Sequence, residues 1–133
     1  VIPVLADKDV AAIVIATPVY LGTMTSQCKA FLDRTVVLAR NGFLLRNKVG
    51  GVLAVGGVRN GGQELTIQAI QASMMCHDMV CVGGGTKAAH FGAALVSEPD
   101  KGIECDKTGI KTAKDVGSKI AELAIMLNHN IKM

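Results

Sequence analysis

Aromatic and charged residues are scarce in this sequence. Its 133 residues include three Phe, one Tyr and no Trp, 19% are charged, and the formal net charge is +3. Nucleic-acid-binding proteins usually combine clustered Lys and Arg with aromatic side chains on which bases stack, so we expect no nucleic-acid partner. Half of the residues are hydrophobic, which excludes a disordered chain because there is ample surface to bury.

The sequence also lacks a hydrophobic run long enough to cross a membrane. Its longest uncharged stretch, 10–28, is continuously apolar only over 10–16, whereas a spanning helix needs about 20 mostly apolar residues. Asp7, Lys8 and Asp9 interrupt the apolar centre that a signal peptide would need. We therefore expect a cytoplasmic protein without a membrane partner.

Metal-binding patterns are missing as well. The four cysteines, at positions 28, 76, 81 and 105, form no CxxC pair, which argues against a zinc site or a dithiol redox motif. The three histidines, at positions 77, 90 and 129, show no metal-ligand spacing. We predict no metal site in this sequence and four buried, unpaired thiols.

What the sequence does contain is an alternation of short apolar runs and amphipathic stretches. The apolar run at 11–16 predicts a strand that is buried on both faces, the run within 48–57 predicts another buried strand, and 79–82 predicts a third short strand. The amphipathic stretches at 25–40, about 60–77 and 109–128 predict helices, whose expected N-caps are Thr25, Asn60 and Asp106. The segment 83–108 has a poorer pattern and predicts mostly an ordered loop.

This order of elements predicts an α/β fold, with a parallel sheet covered by helices on both faces. The length suits one domain, 1–133. Three strands make a small sheet for such a fold, so we expect further strands before Val1 and regard the chain as the C-terminal portion of the domain.

Two segments follow predicted strands, where open α/β sheets bind their ligands. The first, 17–25, contains Pro18 and Gly22, and ordinary turn chemistry is an alternative explanation for it. The second, 56–64, has four glycines in nine residues, which indicates backbone held close to a ligand or, alternatively, a flexible loop. It matches neither the P-loop nor the GxGxxG motif.

Three motifs in order carry a recognisable pattern. They are Pro18-Val-Tyr20 followed by Gly22, Lys-Ala-Phe-Leu-Asp-Arg at 29–34, and Val-Gly-Gly-Val-Arg-Asn-Gly-Gly-Gln-Glu at 55–64. Together they resemble the NADPH-dependent FMN reductase family, and most closely its iron–sulfur flavoprotein branch. The segment 109–123 also resembles the family's last helix, so the resemblance covers nearly the whole chain.

The resemblance implies a flavodoxin-like three-layer α/β/α fold with FMN at the ends of the parallel strands. Backbone amides near the flavin ring would tune its reduction potential. The family's first strand and phosphate loop have no counterpart after Val1. The cofactor-binding residues that the resemblance implies are Thr17, Pro18, Val19, Tyr20, Leu21, Gly22, Thr23, Gly57, Val58, Arg59, Asn60, Gly61 and Gly62.

The implied function is an oxidoreductase in which FMN accepts a hydride from NAD(P)H. The electrons would pass to a flavin, quinone, iron or iron–sulfur acceptor, or to an electron-transfer protein. The alternative is a non-enzymatic, flavodoxin-like electron carrier. Such a carrier would favour an acidic rim, whereas this chain is slightly basic, which favours the enzyme.

The resemblance also implies a homodimer or homotetramer. Excess apolar surface supports this expectation, because a small sheet has a limited interior. The candidate contacts are Phe43-Leu-Leu45 and the segment 88–95, which includes Phe91. An iron–sulfur cluster is expected only if a region before Val1 supplies cysteines.

Overall fold

The structure, a computed structural model, describes residues 1–85 and 90–131, with side chains through Leu127. In chain order its elements are α1 (Ile2–Ala6), β1 (Ala12–Tyr20), β2 (Thr23–Met24), α2 (Ser26–Arg34), α3 (Val36–Arg40), β3 (Val49–Gly56), α4 (Gln63–Met75), β4 (Val80–Cys81), β5 (Ala93–Val96) and α5 (Lys107–Ile131). The alternation of strands and helices that the sequence predicts is present.

The sheet is built around β3. Strand β1 pairs with it in parallel, with Ala12 opposite Val49 and Pro18 opposite Val55. On the other edge of β3, β4 and β5 pair in parallel one after the other, and only the short β2, at the end of β1, is antiparallel. Because its main strands are parallel, the sheet brings their carboxyl ends to one side.

Two apolar clusters lie on opposite faces of the sheet, which gives the expected three layers. The first includes Val52 and Ala54 with buried residues of α4, and the second includes Val49 with buried residues of α5. These strand positions alternate in β3, and successive side chains of a strand point to opposite faces. Helices α4 and α5 therefore lie on opposite sides. The prediction that the run 11–16 is buried on both faces is wrong for β1, because Val14 keeps 51% of its surface exposed.

A glycine pair in the middle of β3 lets both helices approach the sheet closely. A Cβ on Gly50 would lie 2.7 Å from the sulfur of Met74 in α4, and one on Gly51 would overlap Ile120 in α5. Since interiors are packed nearly as densely as organic crystals, neither position has room for a side chain. The pair therefore sets how close the three layers lie.

The prediction of an ordered loop over 83–108 is wrong for β5. Ala93 to Val96 pair in parallel with Leu53 to Gly56, and Ala93 and Leu95 are buried. The apolar run is only four residues long and follows a glycine-rich stretch, so its pattern alone could not distinguish a strand from a loop.

The single helix predicted over 25–40 is interrupted at Thr35. The Thr35 hydroxyl donates to the Leu32 carbonyl (2.6 Å) and lies 2.8 Å from Nε2 of His77. Because the hydroxyl proton is already donated, the oxygen accepts from Nε2–H, and the buried Nδ1 of His77 has no partner among the described residues. An imidazole that carries a proton only on Nε2 is neutral. Burial lowers the pKa of His77, which favours this neutral imidazole.

Candidate functional site

The carboxyl ends of β1, β3 and β5 open into a cleft of about 500 Å³, which we call the strand-end cleft. Its lining consists of uncharged residues from the three strand ends, namely Ala16, Thr17, Pro18, Val19, Tyr20, Val55, Gly56, Gly57 and Ser97. Open α/β sheets bind their ligands at this position. The cleft is therefore the candidate site.

The end of β1, residues 16–20, forms the first wall of the cleft and continues into a tight hairpin. Leu21 (φ 49°) and Gly22 (φ 82°) form the two-residue turn that joins β1 to β2, and positive φ at both positions is typical of such turns. Tyr20, just before the turn, keeps 64% of its surface exposed. Its ring is therefore free to contact a ligand.

The base of this wall is tied to α2. The buried Thr17 hydroxyl accepts a hydrogen bond from the Thr25 N–H (3.3 Å), and the Thr25 hydroxyl accepts one from the Cys28 N–H (3.2 Å). The second bond confirms Thr25 as the N-cap. These bonds link the strand end rigidly to the helix that follows.

The second wall is the glycine loop, residues 57–62. The buried side chain of Gln63 forms hydrogen bonds that hold this loop in place. Gln63 is 3% exposed. Its side-chain nitrogen donates to the carbonyls of Val58 (2.7 Å) and Leu95 (3.2 Å), while its oxygen accepts from the Gly61 N–H (2.8 Å). One amide side chain thus closes the loop and fastens it to β5.

The N-cap predicted for α4 at Asn60 is wrong. The structure has Gly62 there, with φ of 105° and no side-chain cap bond. Asn60 instead adopts a left-handed conformation within the loop, with φ of 60°. Gln63 bonds to the loop instead of completing a capping box, so a motif of the right spacing serves a different purpose.

The two walls touch at a pair of glycines. A Cβ on Gly62 would lie 2.8 Å from Cα of Gly22, which is too close for any side chain. Gly57 differs, because its φ is not positive and a Cβ there would meet nothing within 4 Å. Gly57 therefore presents bare backbone to the open space of the cleft.

The Arg59 side chain extends from the glycine loop towards β5 and the start of α5. Its Nη1 donates to the Ala94 carbonyl (3.1 Å), and its Nη2 forms an ion pair with Oδ1 of Asp106. Arg59, Asn60 and Gly62 also line a second pocket, of about 490 Å³, together with the first turn of α4, Ala94 and Thr108.

Asp106 is the N-cap of α5, as the sequence predicts, because its Oδ1 accepts from the Gly109 N–H (2.8 Å). Burial alone would raise the pKa of Asp106. The hydrogen bonds from Gly109, Val96 and Arg59, together with the Arg59 charge, outweigh that effect and lower the pKa. Asp106 is therefore a buried, ionised and paired carboxylate.

The structure brings the two predicted segments together, although their residues fall into two groups. Those on the strand-end cleft are Thr17, Pro18, Val19, Tyr20 and Gly57. Those in the hairpin or the rest of the glycine loop are Leu21, Gly22, Thr23, Val58, Arg59, Asn60, Gly61 and Gly62. Their contacts with a cofactor stay a prediction.

Four lining residues are absent from the cofactor-binding residues that the resemblance implies, and of these Ser97 is the most informative. Its N–H donates to the Gly56 carbonyl (2.9 Å) and continues the pairing of β5 with β3. Recognition of the short apolar run 93–96 as a strand would have placed Ser97 at the carboxyl edge. The other three are Ala16, Val55 and Gly56.

The prediction of four buried thiols is wrong for two of them. All four cysteines are free, but Cys76 and Cys105 are exposed, whereas Cys28 and Cys81 are partly buried. Burial raises the pKa of the Cys28 and Cys81 thiols. Within residues 1–85 and 90–131, no three His, Cys, Asp or Glu side chains come together as a metal site.

The described helices also include none that is both long and apolar enough to span a membrane.

Comparison with known proteins finds flavoproteins among the relatives of this chain. Relatives include iron–sulfur flavoproteins of Methanocaldococcus jannaschii, 42% identical over 120 residues, and of Methanosarcina thermophila, 40% identical over 118 residues. These matches cover 90% and 89% of this chain but only 62% and 58% of the relatives' own lengths. The chain therefore corresponds to roughly three fifths of each of these relatives.

A solved structure supports the same fold. The flavodoxin, WrbA-like protein of Agrobacterium tumefaciens superimposes with a TM-score of 0.74 at 23% identity, over 87% of this chain and 67% of that one. This likeness confirms the flavodoxin-like α/β fold that the sequence predicts. The family described as NADPH-dependent FMN reductase matches residues 6–94, and the chain belongs to that family.

Proposed function

We propose that the strand-end cleft binds the flavin ring of FMN and that the protein is an FMN-dependent oxidoreductase. The observation that carries the proposal is the bare backbone of Gly57, which faces an uncharged cleft between two anchored walls. Membership of the NADPH-dependent FMN reductase family supports the choice of cofactor. The named relatives are flavoproteins as well.

The cleft residues fit a flat, largely uncharged ring. Gly57 has no Cβ to hold the ring away from the main chain, and Tyr20 offers an exposed aromatic face. Main-chain N–H groups of the two walls can donate to ring carbonyls, and such bonds tune a flavin's potential. The part of the cleft that the structure describes has no Lys or Arg for the phosphate.

Bound FMN would supply the redox chemistry, which is hydride acceptance and electron release. This chain's contribution is to hold the ring and to set its electronic environment. We propose NAD(P)H as the hydride donor and a flavin, quinone, iron or iron–sulfur centre as the acceptor, in the cytoplasm. An electron-transfer protein is a further candidate for the acceptor.

The described cysteines do not fit an iron–sulfur cluster, although the relatives are named for one. No three potential ligands meet among the described residues, and Cys76 and Cys105 lie on the surface.

The proposed function predicts direct reduction by a reduced nicotinamide. The complete gene product should show the visible spectrum of oxidised flavin as purified. Anaerobic stopped-flow mixing with NADH or NADPH should bleach that spectrum, because the hydride moves to the bound flavin. A flavin that dithionite bleaches but neither nucleotide does would identify an electron carrier instead. A colourless protein that takes up no added FMN would contradict the flavoprotein function altogether.

We also propose a homodimer or homotetramer. Phe43 and Leu44 keep 40% and 42% of their surface exposed, as does Phe91 with 42%, whereas Leu45 is buried at 3% and offers no contact. Of the predicted segment 88–95, Ala88 and Ala89 lie outside the described residues. These apolar side chains provide candidate contact surfaces.

Leu44→Glu or Phe91→Glu should therefore shift the protein towards monomer, since a two-fold interface would meet the new charge twice. Light scattering coupled to gel filtration at micromolar concentration measures the shift. Val37→Glu, at a position 42% exposed on α3, is the control for an added surface charge. A flavin-loaded wild type that is monomeric would contradict the proposal.

A further inference from the structure

We propose that Arg59 is a positioning residue, which fixes the glycine loop against the flavin by binding Asp106. The inference rests on the proposed function and adds to it a specific role for one side chain. Arg59 lies in the loop, yet its guanidinium bonds to the Ala94 carbonyl and to Asp106. These partners belong to β5 and to the start of α5.

The geometry of the guanidinium suits an anchor. A guanidinium presents several N–H groups in a rigid fork, and Arg59 uses Nη1 for Ala94 (3.1 Å) and Nη2 for Asp106. Two partners on different elements restrict the side chain more than a single surface ion pair would. The loop is thereby fastened outward to the sheet and to a long helix.

Asp106 is a fixed partner. Its Oδ2 accepts from the Val96 N–H (2.7 Å) and its Oδ1 from the Gly109 N–H (2.8 Å), and its side chain is 8% exposed. A Cβ on Gly109 would overlap the carboxylate, so the surrounding backbone fits closely around it. The carboxylate therefore cannot follow a moving loop.

The two anchors of the loop act on different residues. Gln63 holds the Val58 carbonyl and the Gly61 N–H from inside, while Arg59 holds the residues between them from outside. Asn60 adopts its left-handed φ of 60° within this stretch. Because Gln63 is unaffected by a change at position 59, loss of Arg59 should leave the fold intact and release only the middle of the loop.

Direct contact with a cofactor phosphate is the competing role for Arg59. It would require the guanidinium to give up both of its present bonds, to Asp106 and to the Ala94 carbonyl. The arrangement therefore favours positioning over direct contact.

A double-mutant cycle distinguishes the two roles. FMN affinity of the apoprotein, the flavin midpoint potential and the melting temperature are measured for Arg59→Ala, Asp106→Asn and the double variant. Asparagine keeps a capping oxygen for the Gly109 N–H and removes the charge that holds Arg59. Its NH2 group also replaces the oxygen that accepts from the Val96 N–H, and the melting temperature reports that loss separately. We expect Arg59→Ala to bind FMN about tenfold more weakly than the wild type and to shift the flavin midpoint potential. The double variant should bind FMN only slightly more weakly than whichever single variant has the lower affinity.

Arg59→Lys provides a second comparison, which remains informative if Asp106→Asn fails to fold. Lysine keeps the charge but lacks the fork, so it should restore only part of the affinity and leave the potential shifted. Wild-type affinity and potential in Arg59→Ala would overturn the proposal. So would a full additional tenfold loss when Arg59→Ala is added to Asp106→Asn. A wild type that binds no FMN would instead overturn the proposed function itself.

Discussion

Valine in place of Gly57 is expected to weaken FMN binding by about 100-fold, or about 2.8 kcal/mol, without weakening the fold. The backbone at Gly57 has no positive φ, and a Cβ there meets no protein atom within 4 Å. The first atom of an added side chain would therefore cause no clash within the protein. The branched side chain would project into the strand-end cleft, which Gly57 lines, and occupy space that the flavin ring needs.

The measurement is a fluorescence titration of apoprotein with FMN, together with a melting curve recorded without cofactor. Gly117→Val is the matched control, because Gly117 lies in α5 and a Cβ there also meets nothing within 4 Å. The control should bind FMN like the wild type. Unchanged FMN affinity in Gly57→Val would show that the ring does not lie over this residue.

Glutamate in place of Gln63 is expected to destabilise the protein by several kcal/mol at neutral pH and to abolish flavin binding. The substitution keeps the shape of the side chain but removes both N–H donors. It would place a carboxylate oxygen against the carbonyls of Val58 and Leu95, now 2.7 Å and 3.2 Å from the amide nitrogen. Buried acceptors without donors cost about 1–3 kcal/mol each, and the buried charge adds to that cost.

Chemical denaturation at several pH values tests this expectation. Burial would raise the pKa of the introduced carboxyl above its unfolded value. The variant should therefore recover part of its stability, relative to the wild type, as the pH falls and the group gains a proton. Gln68→Glu makes the same chemical change on an exposed position of α4 and should be nearly neutral. Equal stability of the two variants would show that the Gln63 bonds do not hold the loop.

The sequence predicted the central part of the fold because the pattern there is strong. The runs 11–16 and 48–57 are apolar on both faces, and the observed strands β1 and β3 contain most of them. Strand β5 was missed since four residues carry too little periodicity, and its identity depends on pairing with the distant end of β3. A hydrophobic pattern is read over a short stretch of sequence, so it cannot show that the stretch pairs with a distant strand.

The candidate site was predictable in position but not in its internal bonds. Glycine density and the end of a strand located the loop correctly at the edge of the sheet. The sequence could not show that Gln63 turns back into the loop, because the same spacing also suits a capping box. Nor could it show that Arg59 meets Asp106, 47 residues further along the chain.

The contact between Gly22 and Gly62 has a consequence for how the site can evolve. Two main chains meet there with no side chain between them. The main chains alone therefore set the width of the gap between the hairpin and the glycine loop. Exchange of neighbouring side chains such as Val58, which is 65% exposed, alters the chemistry around the gap without altering its width. The side chains around this contact can therefore vary while the spacing of the two main chains stays constant.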